Sequence, residues 1–256
     1  MVGAKRMSSK IGELYNEVVG FMEKMIDPEK IESAKRWNKE PIVSYGFSSS
    51  DFVEVYSRFN PHFYDLSLDE RLELARKLVR SGNSTILHIG IHLLRISREE
   101  LDQTHFEFFD ECLDHIMGWG NTDLFCSEVL RSMLEKMPEK IIKLLRKWNK
   151  SVNRWKRRAS VVAFTRSTAK SGKFIDEALV LCENLIWDEE DLVRKGVGWA
   201  LKDNMRADKD RVIEYVKSLR RRGVSSVITL YAIRDLKGKE REEVLKIKID
   251  RKLERD

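Results

Sequence analysis

The stretch Asp191-Leu-Val-Arg-Lys-Gly-Val-Gly-Trp-Ala-Leu-Lys202 decides the fold, because a weak repetition of it stands 37 residues earlier. Arg157-Arg-Ala-Ser-Val-Val-Ala-Phe164 aligns with Arg194-Lys-Gly-Val-Gly-Trp-Ala-Leu201. Stepping back by similar intervals lands on Thr122 to Met133 and then on Thr85 to Leu94. Internal similarity at a fixed interval of this size is the mark of stacked supersecondary units rather than of one irregular bundle.

Working outward, the neighbouring segments are also helical. Leu72, Leu74, Ala75, Leu78 and Val79 follow the 3.6-residue period, and no segment sustains the alternation of a half-buried strand. Ser67-Leu-Asp-Glu70, Ser97-Arg-Glu-Glu100 and Thr104-His-Phe-Glu107 each read as a capping box, so three helices are expected to begin there. The four prolines, Pro28, Pro41, Pro61 and Pro138, fall between apolar-periodic segments, where they are expected to start or separate helices without breaking one. About a dozen helices and no sheet follow, so the fold class is all-α. In the 191–196 core a helix-start carboxylate is followed by an apolar, a basic and a small residue, which is a HEAT-like pattern. The small residue lets paired helices approach, and stacked pairs build an α-α superhelix. We expect a single HEAT-like repeat domain over residues 1–256, with 237–256 as a charged capping helix or tail.

Charged residues make up 35% of the chain, and the net charge is +6. From Lys140 to Lys173 there are twelve lysines and arginines and no acidic residue, so the remainder of the chain is net acidic. A solvated helix face normally mixes signs, because like charges one turn apart repel. An unmixed block suits a polyanion, and placed on the concave face of the superhelix it would line a basic groove. Cys112, Cys126 and Cys182 are widely spaced and form no CxxC. They read as reduced thiols of a cytoplasmic protein, and no apolar run approaches the length of a membrane span.

Few constellations could carry chemistry. His88 and His92 have the four-residue spacing of paired metal ligands, but the residues between them are Ile, Gly and Ile, with neither a glutamate nor a third ligand nearby. We expect no metal and no cofactor. There is no Gly-rich phosphate loop and no Ser nucleophile elbow. The tryptophans Trp119, Trp148, Trp155 and Trp199 cluster in or beside the repeats and the basic block. In Trp119-Gly-Asn-Thr-Asp123, Asn121 or Thr122 is a candidate helix cap, which would put Asp123 in the first turn, where the dipole keeps a carboxylate ionised. The same residue could be no more than a favourable helix-start charge.

Three stretches together resemble the AlkD-type DNA alkylation repair glycosylases: Trp119-Gly-Asn-Thr-Asp123, Asn153-Arg-Trp-Lys-Arg-Arg-Ala159, and Leu192-Val-Arg-Lys-Gly-Val-Gly-Trp-Ala-Leu-Lys202. The third is the most specific, since the family repeatedly carries an (I/V)(R/Q)KAxGWxLR-like run there. Tyr45-Gly-Phe47 is similar to the family's early Y-G-V element. The resemblance spans roughly residues 40 to 236. It implies a HEAT-like solenoid cradling duplex DNA, and excision of positively charged N3- and N7-alkylated purines without a metal. Residue by residue it makes Asp123 the catalytic carboxylate, places Trp119 and Trp199 against the lesion's deoxyribose, and gives Arg158 a backbone phosphate, with Arg157 the adjacent candidate. We expect further backbone contacts from Lys150, Arg154, Lys156, Arg157 and Lys195. The chain departs from the family at Gly118 and Gly120, where relatives commonly carry Trp and Asp.

The chemistry is physically coherent. Breaking the glycosidic bond of a cationic purine moves positive charge onto the sugar, and an ionised carboxylate beside that carbon stabilises it. Tryptophan faces attract the same charge. The alkylated base is already a good leaving group, so no general acid is required. We therefore expect a monomeric glycosylase acting on alkylated duplex DNA. A non-catalytic DNA- or RNA-binding HEAT-like module and a protein-scaffolding solenoid are the alternatives.

Overall fold

The computed structural model describes residues 2–35 and 41–250. Among these residues the fold is all-α, with no strand. None of the helices is long and apolar enough to cross a membrane. The chain forms two compact units, residues 1–132 and 133–256.

The first unit contains α1 (Val2–Lys24), α2 (Pro28–Lys35), α3 (Ser49–Tyr64), α4 (Leu68–Val79), α5 (Ser84–Ser97), α6 (Phe106–His115) and α7 (Trp119–Phe125). A π-helical turn, Cys126–Leu130, joins α7 to α8 (Arg131–Lys136), within which the unit boundary falls. The Ser67–Glu70 capping box starts α4 as expected. The other two boxes are corrected. Ser97 is the buried last residue of α5, and Glu100 pairs instead with Arg71. Thr104 sits in a 3-10 turn capped by Asp102, so α6 begins only at Phe106. Both sequences have the right residue types, but a helix end and a competing Asp cap already claim those positions. The proline expectation also needs correction: Pro28 and Pro138 open α2 and α9, whereas Pro61 lies inside the last turn of α3.

The second unit contains α9 (Pro138–Asn149), α10 (Arg154–Val162), α11 (Arg166–Lys170), α12 (Ile175–Glu183), α13 (Asp191–Asn204), α14 (Lys209–Arg221), α15 (Ser226–Ala232) and α16 (Gly238–Leu245). Helix α13 packs between α10 and α15, while α12 packs on α9 and α13. The expected terminal helix corresponds to α16, and residues 251–256 of that stretch lie outside the described residues. Buried Asn149 ties three helices, donating to Ser160 Oγ at 2.9 Å and to the Leu181 carbonyl at 3.1 Å.

The interval read from the sequence recurs in the cross-links. Arg157 bonds Asp188, 31 residues on; the Arg166 amide bonds Asp203, 37 on; and Asn204 bonds the Phe164 carbonyl, 40 back. In the first unit Asn121 bonds Ser84 across 37 residues, and His88 bonds Tyr56 across 32. These bonds join segments about thirty to forty residues apart.

Within α13 the tightest approach is made by Gly198 rather than by Gly196, the small residue singled out in the sequence pattern. A Cβ at 196 would meet Arg158 Cγ at an ordinary 3.4 Å, whereas one at 198 would come within 2.7 Å of Tyr231 Cβ and 2.9 Å of the Ile228 carbonyl oxygen. Gly198→Ala is expected to overpack the α13–α15 contact and lower stability by about 1–3 kcal/mol. The matched control, Gly20→Ala on α1, has open space around the added methyl and should be neutral or stabilising by up to about 1 kcal/mol. Urea midpoints of the two variants check both signs.

Candidate functional site

Helix α7 presents the first half of the candidate residues. Gly118, at φ +128°, turns the chain into the helix, which begins at Trp119. Asp123 consequently stands in the second turn rather than the first. The residues expected to cap the helix do other work: Asn121 Nδ2 donates to the Ser84 carbonyl at 2.9 Å and to Ser84 Oγ at 3.0 Å, and Thr122 Oγ1 donates back to the Gly118 carbonyl. Asn121 thereby fixes α7 to the start of α5. Trp119 and Asp123 are four residues apart and share a face of the helix. Trp119 is 43% exposed and Asp123 only 6%. The π-helical turn begins three residues after Asp123; such turns are rare and concentrate at functional sites.

Behind α7, His88 and His92 belong to an aromatic stack rather than to an open ligand pair. His88 lies on Phe52 with centroids 3.7 Å apart, and His92 on Tyr56 at 3.9 Å. Their Nε2 atoms are hydrogen-bonded to the Tyr56 hydroxyl and to Asn60 Oδ1. Burial pushes the His88 pKa down to about 4 and, with Arg95 adding to it, that of His92 down to about 3.

In the second unit the basic residues divide by environment. Lys150 and Lys195 are exposed, and Lys156 is half-buried. Arg154 lies over the Trp155 ring at 4.7 Å and reaches Glu190 at 3.5 Å. Arg157 is committed to the fold: its guanidinium grips Asp188 through two nitrogens and donates to the Ser151 and Val152 carbonyls. Arg158 is 5% exposed, crosses α13 at Gly196, and donates to the Leu192 carbonyl. Leu192, Gly196 and Trp199 form one stripe of α13, so Arg158 and the half-buried Trp199 share that face.

One neighbour was missed by the sequence reading, which counted it only as one charge among twelve. Arg166 is exposed, has φ +55°, and holds its guanidinium 5.3 Å from the Trp199 ring centroid. Nothing in a linear pattern signals a left-handed arginine.

The profile of a family described as DNA alkylation repair enzyme matches residues 21–236. The chain belongs to that family. A solved structure described as a predicted DNA alkylation repair enzyme from Enterococcus faecalis is similar to this member at 14% identity and a TM-score of 0.69, covering 82% of this chain and 96% of the other. At that identity the likeness concerns the fold. No curated protein matches. The family's departures at α7 have a local reason in one case: a Cβ at Gly118 would meet Ile42 Cδ1 at 2.9 Å on a backbone that disfavours side chains, whereas Gly120 has open space.

Two outcomes follow for this family member. Both histidines have folded pKa values below the ordinary 6.5, so the unfolded chain takes up their protons first. Their contribution to stability is complete above about pH 6.5 and is lost as pH falls through about 4 toward about 3. The urea midpoint should decline through that window, and His88→Gln/His92→Gln should flatten the decline between pH 6.5 and 5. Separately, Arg157→Ala leaves Asp188, 6% exposed, without its partner. A loss of about 2–3 kcal/mol is expected, below the 3–5 typical of fully buried pairs because Arg157 is partly solvated. It should appear as reduced thermal stability at unchanged oligomeric state.

Proposed function

We propose that the protein is a DNA glycosylase that excises positively charged N3- and N7-alkylated purines from duplex DNA, with Asp123 as the carboxylate that stabilises the departing sugar's charge. The observation that carries this reading is the pairing on α7 of an exposed Trp119 with a nearly buried Asp123 one turn away, in a member of the DNA alkylation repair enzyme family. A tryptophan ring that reaches solvent can meet a deoxyribose or a base, and a carboxylate shielded beside it acts in a low-dielectric setting where its charge is most effective.

In the proposed step the C1′–N bond breaks and its electron pair leaves with the base, neutralising the base's charge. The sugar becomes oxocarbenium-like, water attacks C1′, and the water's proton is released. Asp123 stabilises the cation and orients the water, as carboxylates do in glycoside hydrolysis. By family resemblance Trp199 contacts the lesion nucleotide as well, and Arg158, 5% exposed and donating to the Leu192 carbonyl, would have to leave that contact to hold a phosphate. In this reading the chain is a HEAT-like solenoid over residues 1–256 with a basic concave face, working as a cytoplasmic monomer. The cross-links of 31 to 40 residues within the second unit support the repeat. Exposed Lys150 and Lys195, with Lys156 and Arg154, are the phosphate contacts the reading favours. Arg157, also expected in that role, already has its donors engaged by Asp188 and two carbonyls.

The test is single-turnover incubation with duplex DNA carrying N7-methylguanine, scored as abasic sites. The wild-type protein should generate them above the spontaneous rate. Asp123→Asn keeps the shape and removes the charge, and should cost about 10²–10³ in rate with little loss of affinity. Binding without any excess of abasic sites would instead establish the non-catalytic DNA-binding alternative.

A further inference from the structure

Arg166 occupies a position that its sequence neighbours do not require. Its φ of +55° is in the left-handed region, where a non-glycine residue persists only if its surroundings hold it there. The holding group is Asp203, 2% exposed, whose Oδ2 accepts the Arg166 amide at 2.8 Å. One residue on, buried Asn204 donates to the Phe164 carbonyl at 3.0 Å. The last turn of α13 thus clamps the 164–166 turn from two sides. Asp203 is also four residues after Trp199 and shares its face of α13. The clamp fixes the Arg166 backbone beside Trp199, and the guanidinium lies 5.3 Å from that ring's centroid. Among the described residues no carboxylate forms an ion pair with this guanidinium, while Trp199 is half-buried and Arg166 exposed.

We propose that Arg166 is a phosphate-released cover for Trp199: in the free protein its guanidinium occupies the ring, and a DNA backbone phosphate draws it away, opening the ring to the nucleotide. This rests on Trp199 being the lesion-contacting residue of the proposed function. The physical basis is competition for one cation. A tryptophan face and a phosphate both attract guanidinium, and a phosphate, with its bidentate charge-assisted hydrogen bonds, attracts it more strongly. A ligand lacking phosphate must displace Arg166 without compensation, whereas duplex DNA supplies the alternative partner. The device disfavours occupation of Trp199 by free nucleosides and released bases, and couples ring exposure to engagement of the strand.

Two affinities of opposite sign test this. Arg166→Gly suits the left-handed backbone and removes the cover, so the variant should remain folded; Arg166→Lys keeps a cation and should restore part of both effects. For the cationic nucleoside N7-methylguanosine, Arg166→Gly should bind about three- to tenfold more tightly than wild type, reflecting the lost cation–π competitor. For duplex DNA the same variant should bind several-fold more weakly, with the log–log salt slope smaller in magnitude by about 0.9, the loss of one phosphate contact. Hydroxyl-radical oxidation of Trp199, read by peptide mass spectrometry on the free protein, should be faster in Arg166→Gly. Weakening of both ligands together, unchanged nucleoside affinity, or an unchanged Trp199 oxidation rate overturns the proposal. The two readings fail separately: opposite-sign shifts without abasic sites would sink the glycosylase, whereas abasic sites with same-sign shifts would sink the cover. If the wild type binds neither ligand, the oxidation rates alone decide.

Discussion

Helix α13 lies pressed between α10 and α15, and the bare backbone at Gly198 is the constraint on which that packing depends. At Gly198 any side chain would collide with Tyr231 and the Ile228 carbonyl. At Gly196 the aliphatic stem of Arg158 lies at ordinary contact distance and crosses to the Leu192 carbonyl. Arg158 crosses this same helix to the Leu192 carbonyl, and Asp203 and Asn204 at its last turn clamp the 164–166 turn. Polar side chains add bonds between segments about thirty to forty residues apart.

The same packing sorts the positive charge. A run of twelve cations without an anion looks uniform in one dimension, but the fold engages its members differently. Arg157 neutralises Asp188 and satisfies two loop carbonyls, and Arg158 is buried across α13. Arg154 rests on Trp155 and Arg166 on Trp199, while Lys150 is exposed, as is Lys195 beyond the run. Lysine's strongly hydrated ammonium favours solvent, whereas the planar guanidinium stacks on rings and bridges carbonyls with less desolvation cost. The division between structural and available cations therefore follows side-chain chemistry as well as position.

Around Asp123 the geometry departs from a simple helix-start carboxylate. The helix begins at Trp119 because Gly118 makes the turn, so the dipole acts on Asp123 from more than a turn away, where its influence has fallen off. What marks the residue is its burial beside an exposed ring, on a helix anchored by Asn121 to Ser84 and loosened just beyond into a π turn. The histidines are part of that support, stacked under aromatic rings and kept neutral by desolvation.

The sequence by itself determined the all-α class, the family, and the placing of Trp119 and Asp123 one turn apart on a helix, because these rest on local periodicity and fixed spacing. The Ser67–Glu70 cap was legible for the same reason, its donors and acceptors lying within one turn. Only the tertiary structure decided that Ser97 ends a helix instead of starting one, that Asn121 reaches across 37 residues to Ser84, and that Gly198 rather than Gly196 makes the closest approach. It alone set Arg166 in a left-handed conformation over Trp199. These outcomes depend on partners about thirty to forty residues away, and a side chain's choice between a local cap, a distant carbonyl and a ring face is settled by which of them packing brings within reach.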